Sequence, residues 1–170
     1  SISESELKNF LSEHDSTIKD TEVLTVDGNG KAMEKGALSN GQERKMDQPS
    51  SAGKPANAVI GDRQYHHFRV EIPTGGAKDF TLRLASDSGK NLMLALRKGD
   101  LAWRTDADYL LAQSGGNKTL SIDFLPEGTW YVSVYGSDAP DAVCGSNTFR
   151  YKGDIALLNG IPYSITASWK

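Results

Sequence analysis

The chain is poor in cysteine. Its single thiol, Cys144 among 170 residues, excludes an intramolecular disulfide and leaves a cysteine-based zinc site without ligands. A thiol nucleophile needs a histidine partner and an oriented third group. The histidines are His14, His66 and His67, and nothing local ties any of them to Cys144, which reads as a small, semi-buried filler. Long hydrophobic runs are missing too: none approaches the ~20 residues that span a bilayer as a helix. So is a dominant charge. A net charge of −3 and a pI of about 5.6 give no electrostatic reason to expect nucleic acid or an anionic membrane as partner.

Catalytic motifs are also lacking. There is no G-x-S-x-G, no H-E-x-x-H and no P-loop, so the usual nucleophile, zinc and phosphate sites have no anchor. His66 and His67 are adjacent, and in a strand they point to opposite faces rather than to one metal. The acidic residues number 22, yet no spacing singles out a pair for glycoside hydrolysis. The expectation is that this chain is not an enzyme and has no catalytic residue. No cofactor and no metal site are expected either. A structural calcium ion finds no support: "DGNGK" at 27–31 places Asp27 and Asn29 like the first two ligands of a calcium loop, but Lys31, Ala32 and Leu38 stand where an oxygen ligand, a glycine and an acid belong. It reads as a β-turn. No leader is visible, and the chain opens on Ser1 rather than Met, as a processed or excised segment does.

What is present falls into two regions. Residues 1–62 carry a net charge of −4 and residues 63–170 a net charge of +1. The first opens with Ser3 and Glu6 spaced as a capping box and with Leu7, Phe10 and Leu11 as a short apolar stripe. This predicts a helix over about 4–14 that is too short to be stable without docking. "TEVLTVDGNG" alternates as a strand does up to a turn. Residues 31–58 show little periodicity and many Gly, Ser, Asn, Gln and Pro, and read as a long linker-like segment.

The second region is strand and turn throughout. Phe68, Val70 and Ile72 alternate, as do Phe80, Leu82 and Leu84, then Leu92, Leu94 and Leu96. Leu120, Ile122 and Phe124 follow, then Trp130, Val132 and Val134, and last Tyr163, Ile165, Ala167 and Trp169. Six segments with one apolar face each, separated by turn residues, predict an all-β, antiparallel jelly-roll-like β-sandwich. A short N-terminal helix and long loops would complete it.

The order "YHHFRVEIPTGG", "DFTLRLAS", "NLMLALRKGD", "LPEGTWYVSVYG", "YSITASWK" resembles the bacterial pre-peptidase C-terminal domain over residues 64–170. Leu125, Gly128, Trp130, Tyr131, Val132 and Val134 match its "L-x-x-G-x-Y-Y-V-x-V" strand with Trp for the first Tyr, and Tyr163 and Ile165 match its closing strand. "RKGDLAWRTDADY" is similar to the turn and aromatic segment of the related collagen-binding domains of secreted bacterial collagenases. The resemblance implies a non-catalytic accessory domain of a secreted bacterial hydrolase, a peptidase above all, that binds substrate or shields the parent. It implies a secreted, cell-surface or periplasmic location and a parent catalytic domain in the same full-length chain. Two features depart from the pattern: the stretch 137–162 is longer than the family's link, and residues 1–62 hold no counterpart of the acidic calcium-binding linker. A carbohydrate-binding module and a purely structural or adhesive sandwich are the other readings.

The candidate ligand-binding residues are Trp103, Arg104, Tyr109, Tyr131 and Tyr135. Tyr131 and Tyr135 alternate with the Trp130/Val132/Val134 face, so they point outward, either as a recognition platform or as packing beneath residues 137–162. Trp103 and Tyr109 follow the "KGD" turn and either stack on a protein polymer such as collagen or on a polysaccharide, or serve as core. Asp106 and Asp108 offer too few oxygens for a metal.

Overall fold

The computed structural model describes residues 34–49, 56–138, 141–144, 149–154, 157 and 159–170. The helix expected over 4–14, the strand at 21–26, the "DGNGK" turn and the packing of the Cys144 side chain lie outside what is described. Ten strands follow in chain order: β1 (Arg44–Met46), β2 (Tyr65–Ile72), β3 (Ala77–Ala85), β4 (Leu92–Lys98), β5 (Tyr109–Leu111), β6 (Lys118–Leu125), β7 (Gly128–Gly136), β8 (Asp141–Cys144), β9 (Phe149–Lys152) and β10 (Tyr163–Ser168).

Alternating side chains give each long strand one apolar face, and two such faces bury each other. One sheet has the order β1-β10-β3-β6, the second β2-β7-β4-β5, and β8 with β9 forms a separate hairpin. All paired strands are antiparallel, so the chain is an antiparallel β-sandwich, as its alternation predicts. Phe68, Val70, Leu94, Leu96, Val132 and Val134 of the second sheet meet Phe80, Leu82, Leu84, Ile165 and Ala167 of the first. No helix among the described residues is long and apolar enough to cross a membrane.

Two departures from simple alternation matter. Ala77 and Phe80 are both fully buried although an odd number of positions separates them. Asp79 between them has φ 49°, a left-handed conformation that breaks strand parity. The partner strand is broken in step, with Lys78 opposite Phe124 and Phe80 opposite Ile122. Leu125 therefore takes the core place, and Phe124, expected inward, is 50% exposed.

The second departure is the segment read as a linker. Residues 34–38 run beside β2, with Leu38 N–H donating to Arg69 O at 2.8 Å and Arg69 N–H to Gly36 O at 3.0 Å. The chain then crosses to the other sheet, where Gly41 N–H donates to Ala167 O at 2.8 Å and β1 pairs with β10. Leu38 and Met46 enter the core. The sandwich thus includes residues ahead of the boundary drawn at 62. Their turn-rich composition hides a segment whose backbone hydrogen bonds close one side of the sandwich.

Candidate functional site

The register of the second sheet fixes its outer face. Residues directly opposite in antiparallel strands point the same way, so the pairs Arg69–Tyr131 and Arg97–Tyr131 make a cross-strand row of Arg69, Tyr131 and Arg97. The next row runs His67, Ser133, Ala95, Leu110, and the next Tyr65, Tyr135, Met93. Tyr131 is partly exposed between its two guanidinium neighbours. Arg69 pairs with Glu34 at 2.8 Å and Glu71 at 2.9 Å, and Arg97 with Asp106 at 3.2 Å. Paired opposite charges therefore flank one partly exposed aromatic ring.

Much of the rest of this face is covered, although Leu110 at its edge is exposed. The β4–β5 connection, residues 99–108, folds back over it. Ala102 is fully buried and its carbonyl accepts the Ser133 hydroxyl proton at 2.6 Å. Trp103 stands edge-on to Tyr65 and His67, with ring centroids 5.1 and 4.8 Å apart. Arg104 N–H donates to Tyr65 Oη at 2.9 Å, and its guanidinium lies 5.2 Å from the Tyr135 ring centre. Trp103 and Asp106 exchange two backbone hydrogen bonds of 3.0 Å, which makes the tip of the loop a tight turn.

The five sequence candidates are only partly brought together. Trp103, Arg104, Tyr131 and Tyr135 belong to this outer side. Tyr109 does not: it lies opposite Leu96, on the core side of the sheet, and reaches solvent at the open rim. Tyr135 points outward as expected but is 3% exposed. The β4–β5 loop contributes to that cover through Arg104, and the Tyr65 ring lies 4.3 Å from its own. Tyr65, His67, Arg69, Ser133 and Arg97 are the members that sequence reasoning missed. Their signal was parity, since each alternates with a core residue of β2, β7 or β4.

His66 and His67 point to opposite faces, as adjacency in a strand requires. Ser133 accepts from His67 Nδ1 at 2.7 Å, because its own proton goes to Ala102 O. The opposite ring atom, His67 Nε2, is buried without a hydrogen-bond partner. Burial pushes this imidazole down to about 4. Asp108 accepts the Lys98 N–H at 2.8 Å and Asp106 is held by Arg97. Among the described residues no cluster of histidine, cysteine or acidic side chains is placed to hold a metal ion. A cavity of about 420 Å³ on the opposite sheet is lined by Glu43, Lys45, Asp47, Asp87 and neighbours. It lies on the other sheet from the aromatic cluster.

No family model matches the chain, and no curated protein matches it. Among solved structures it is similar to the pre-peptidase C-terminal domain of a collagenase from Bacillus anthracis, with 13% identity and a TM-score of 0.45 over 81% of this chain and 99% of that one. That is the kind of domain its strand motifs resemble. No ligand or partner follows from a likeness at this identity.

Proposed function

We propose that this chain is a non-catalytic accessory module of an exported bacterial hydrolase, a peptidase by the resemblance of its motifs, and that it binds a protein polymer across the outer face of β2, β7 and β4. The observation that carries the binding role is the Arg69–Tyr131–Arg97 row with Glu34, Glu71 and Asp106 around it. A rigid ring supplies contact area at low entropic cost, and the paired charges on either side offer hydrogen bonds to an extended backbone. Sugar polymers are the weaker fit. Stacking on them calls for a planar row of exposed aromatics, and here Tyr65 and Tyr135 are buried.

Binding to insoluble collagen and to polysaccharides tests this, comparing wild type with Tyr131→Ala. The expected result is collagen binding that weakens by about 1–3 kcal/mol in the variant while the fold is unchanged. Full binding by the variant would move the role elsewhere. Absence of wild-type binding to any polymer leaves shielding or packing against the parent. That second reading has its own observation: among the described residues, the exposed large apolar side chains Tyr109, Leu110 and Phe124 all lie on the two edge strands β5 and β6.

A further inference from the structure

We propose that the 99–108 loop is an acid-opened lid, held shut over Tyr65 and Tyr135 by a neutral His67 and released when that imidazole takes up a second proton. The lid is tied at its two ends, where Gly99 N–H donates to Thr129 O and Asp108 N–H to Leu96 O; between those hinges the Arg97–Asp106 ion pair and three hydrogen bonds hold its body down. Ser133 holds Ala102 O, Tyr65 Oη holds the Arg104 amide, and Arg97 Nη1 donates to Leu101 O at 3.1 Å. His67 is at the centre of these contacts, stacked on Tyr65 with centroids 5.5 Å apart and set against Trp103. It is fully buried, and its Nε2 has no partner. A proton there has no acceptor unless the lid lifts and admits water.

The charges around His67 do not rescue the protonated form. On β2 the nearest is Arg69, already neutralised by Glu34 and Glu71. From β7 come Ser133, Tyr131 and Tyr135; from β4, Arg97, paired with Asp106 of the loop. The loop itself adds the Arg104 guanidinium, a cation, and the segment before β1 adds Lys35, whose N–H donates to His67 O at 2.7 Å. Glu34, Glu71 and Asp106 are each committed to an arginine, and Asp100 and Asp108 of the loop each accept a backbone N–H instead. The Trp103 ring stands nearly perpendicular to the imidazole and adds no charge that would stabilise the protonated form. Opening uncovers two further tyrosines beside Tyr131. That consequence for binding rests on the proposed function, whereas the lid motion does not.

Amide hydrogen exchange of the ligand-free protein at pH 7.5 and pH 5.0, corrected for intrinsic rates, tests the lid alone. With His67 shifted from its ordinary 6.5 to about 4 when closed, opening at the Arg104 amide, which Tyr65 Oη accepts across the lid, should rise about thirtyfold at pH 5.0. Protection in β3 and β10 should stay at least as high as the global stability at that pH allows. His67→Asn keeps a donor toward Ser133 and cannot be protonated, so its loop exchange should not respond to pH. Ser133→Ala removes the Ala102 anchor, so its lid amides should exchange faster at pH 7.5 and the wild-type His67 titration should move up toward 6.5. Loop and β3 amides losing protection together would overturn the proposal, as would an unchanged pH response in His67→Asn. If His67→Asn does not fold, lid amides that stay protected in Ser133→Ala overturn it equally.

Discussion

Trp130 combines the two demands that a buried aromatic must meet. Its ring is 5% exposed within the core, and its indole N–H donates to Pro126 O at 2.9 Å, so the polar edge is satisfied while the ring fills volume. Trp130→Ala should cost about 3–5 kcal/mol in a urea melt through the cavity left behind. Trp130→Phe keeps part of the ring and should cost less. Equal losses in the two variants would mean that ring volume is not what Trp130 contributes. Gly76 is constrained differently. Its φ is 83°, and a Cβ there would lie 2.8 Å from Leu125 O and also meet the Phe124 ring. Gly76→Ala therefore faces both left-handed strain and a clash with backbone, and should destabilise by roughly 1–3 kcal/mol. The same substitution at Gly75, where φ is 93° with nothing nearby, should lose only the strain term. Similar melts for the two variants would show that the Phe124 contact is easily relieved.

At the scale of elements, the segment 34–48 bridges the two sheets. It hydrogen-bonds β2 at one end and β10 at the other, and Leu38 is its plug into the core at 4% exposure. Leu38→Ala should cost about 2–5 kcal/mol. It should also speed exchange of the Arg69 amide, which Gly36 O accepts, more than exchange of β3 amides. A uniform loss of protection would show that the segment does not open independently of the sandwich. This element was invisible in the sequence because its bonds are made largely by backbone, at Lys35, Gly36, Leu38, Gly41 and Arg44–Met46, with the Asn40 side chain bonding Trp169, and no apolar period marks these positions. The long strands were legible, since Phe68, Leu82, Leu94, Val132 and Ile165 each sit in a period-two pattern that burial alone explains. Short strands such as β5, with three residues, hold too few positions for a period to register. Phe124 was misplaced because a parity break at Asp79 depends on one residue's backbone angle, which no apolar pattern records. The candidate site was legible in part. Parity put Tyr131 and Tyr135 outside, but the loop that buries one and spares the other folds back by hydrogen bonds to Ser133 and Tyr65.

At the scale of the whole molecule, a buried hydrogen bond ties the two sheets together inside the core: His66 of β2 and Tyr163 of β10, with Nδ1 and Oη 2.6 Å apart. Both groups are neutral because charge is costly there. Burial, reinforced by Lys35, His67 and Arg44, lowers the His66 imidazole well below its ordinary 6.5. Burial likewise raises the Tyr163 phenol well above 10, although Arg44 pulls it the other way. The two shifts bound stability from opposite sides. Below pH 6.5 the unfolded chain takes a proton at His66 that the native state refuses, so stability falls as pH drops, by about 1.4 kcal/mol per unit for that proton. Above pH 10 the unfolded chain releases the Tyr163 proton that the native state keeps, so stability falls as pH rises. Lys118, lowered from 10.5 by burial, acts in the opposite sense at that end and blunts the decline. His67 adds to the acid side only as far as its lid stays closed. The melting temperature should therefore be level between about pH 6.5 and 10 and fall on both sides. Tyr163→Phe separates the terms: it leaves the His66 ring without its partner, at a cost of about 1–3 kcal/mol at neutral pH. It should keep the acid decline and lose much of the alkaline one. A wild-type melt that is flat down to pH 5, or an alkaline decline identical in Tyr163→Phe, would show that this inter-sheet bond does not set the limits of the fold.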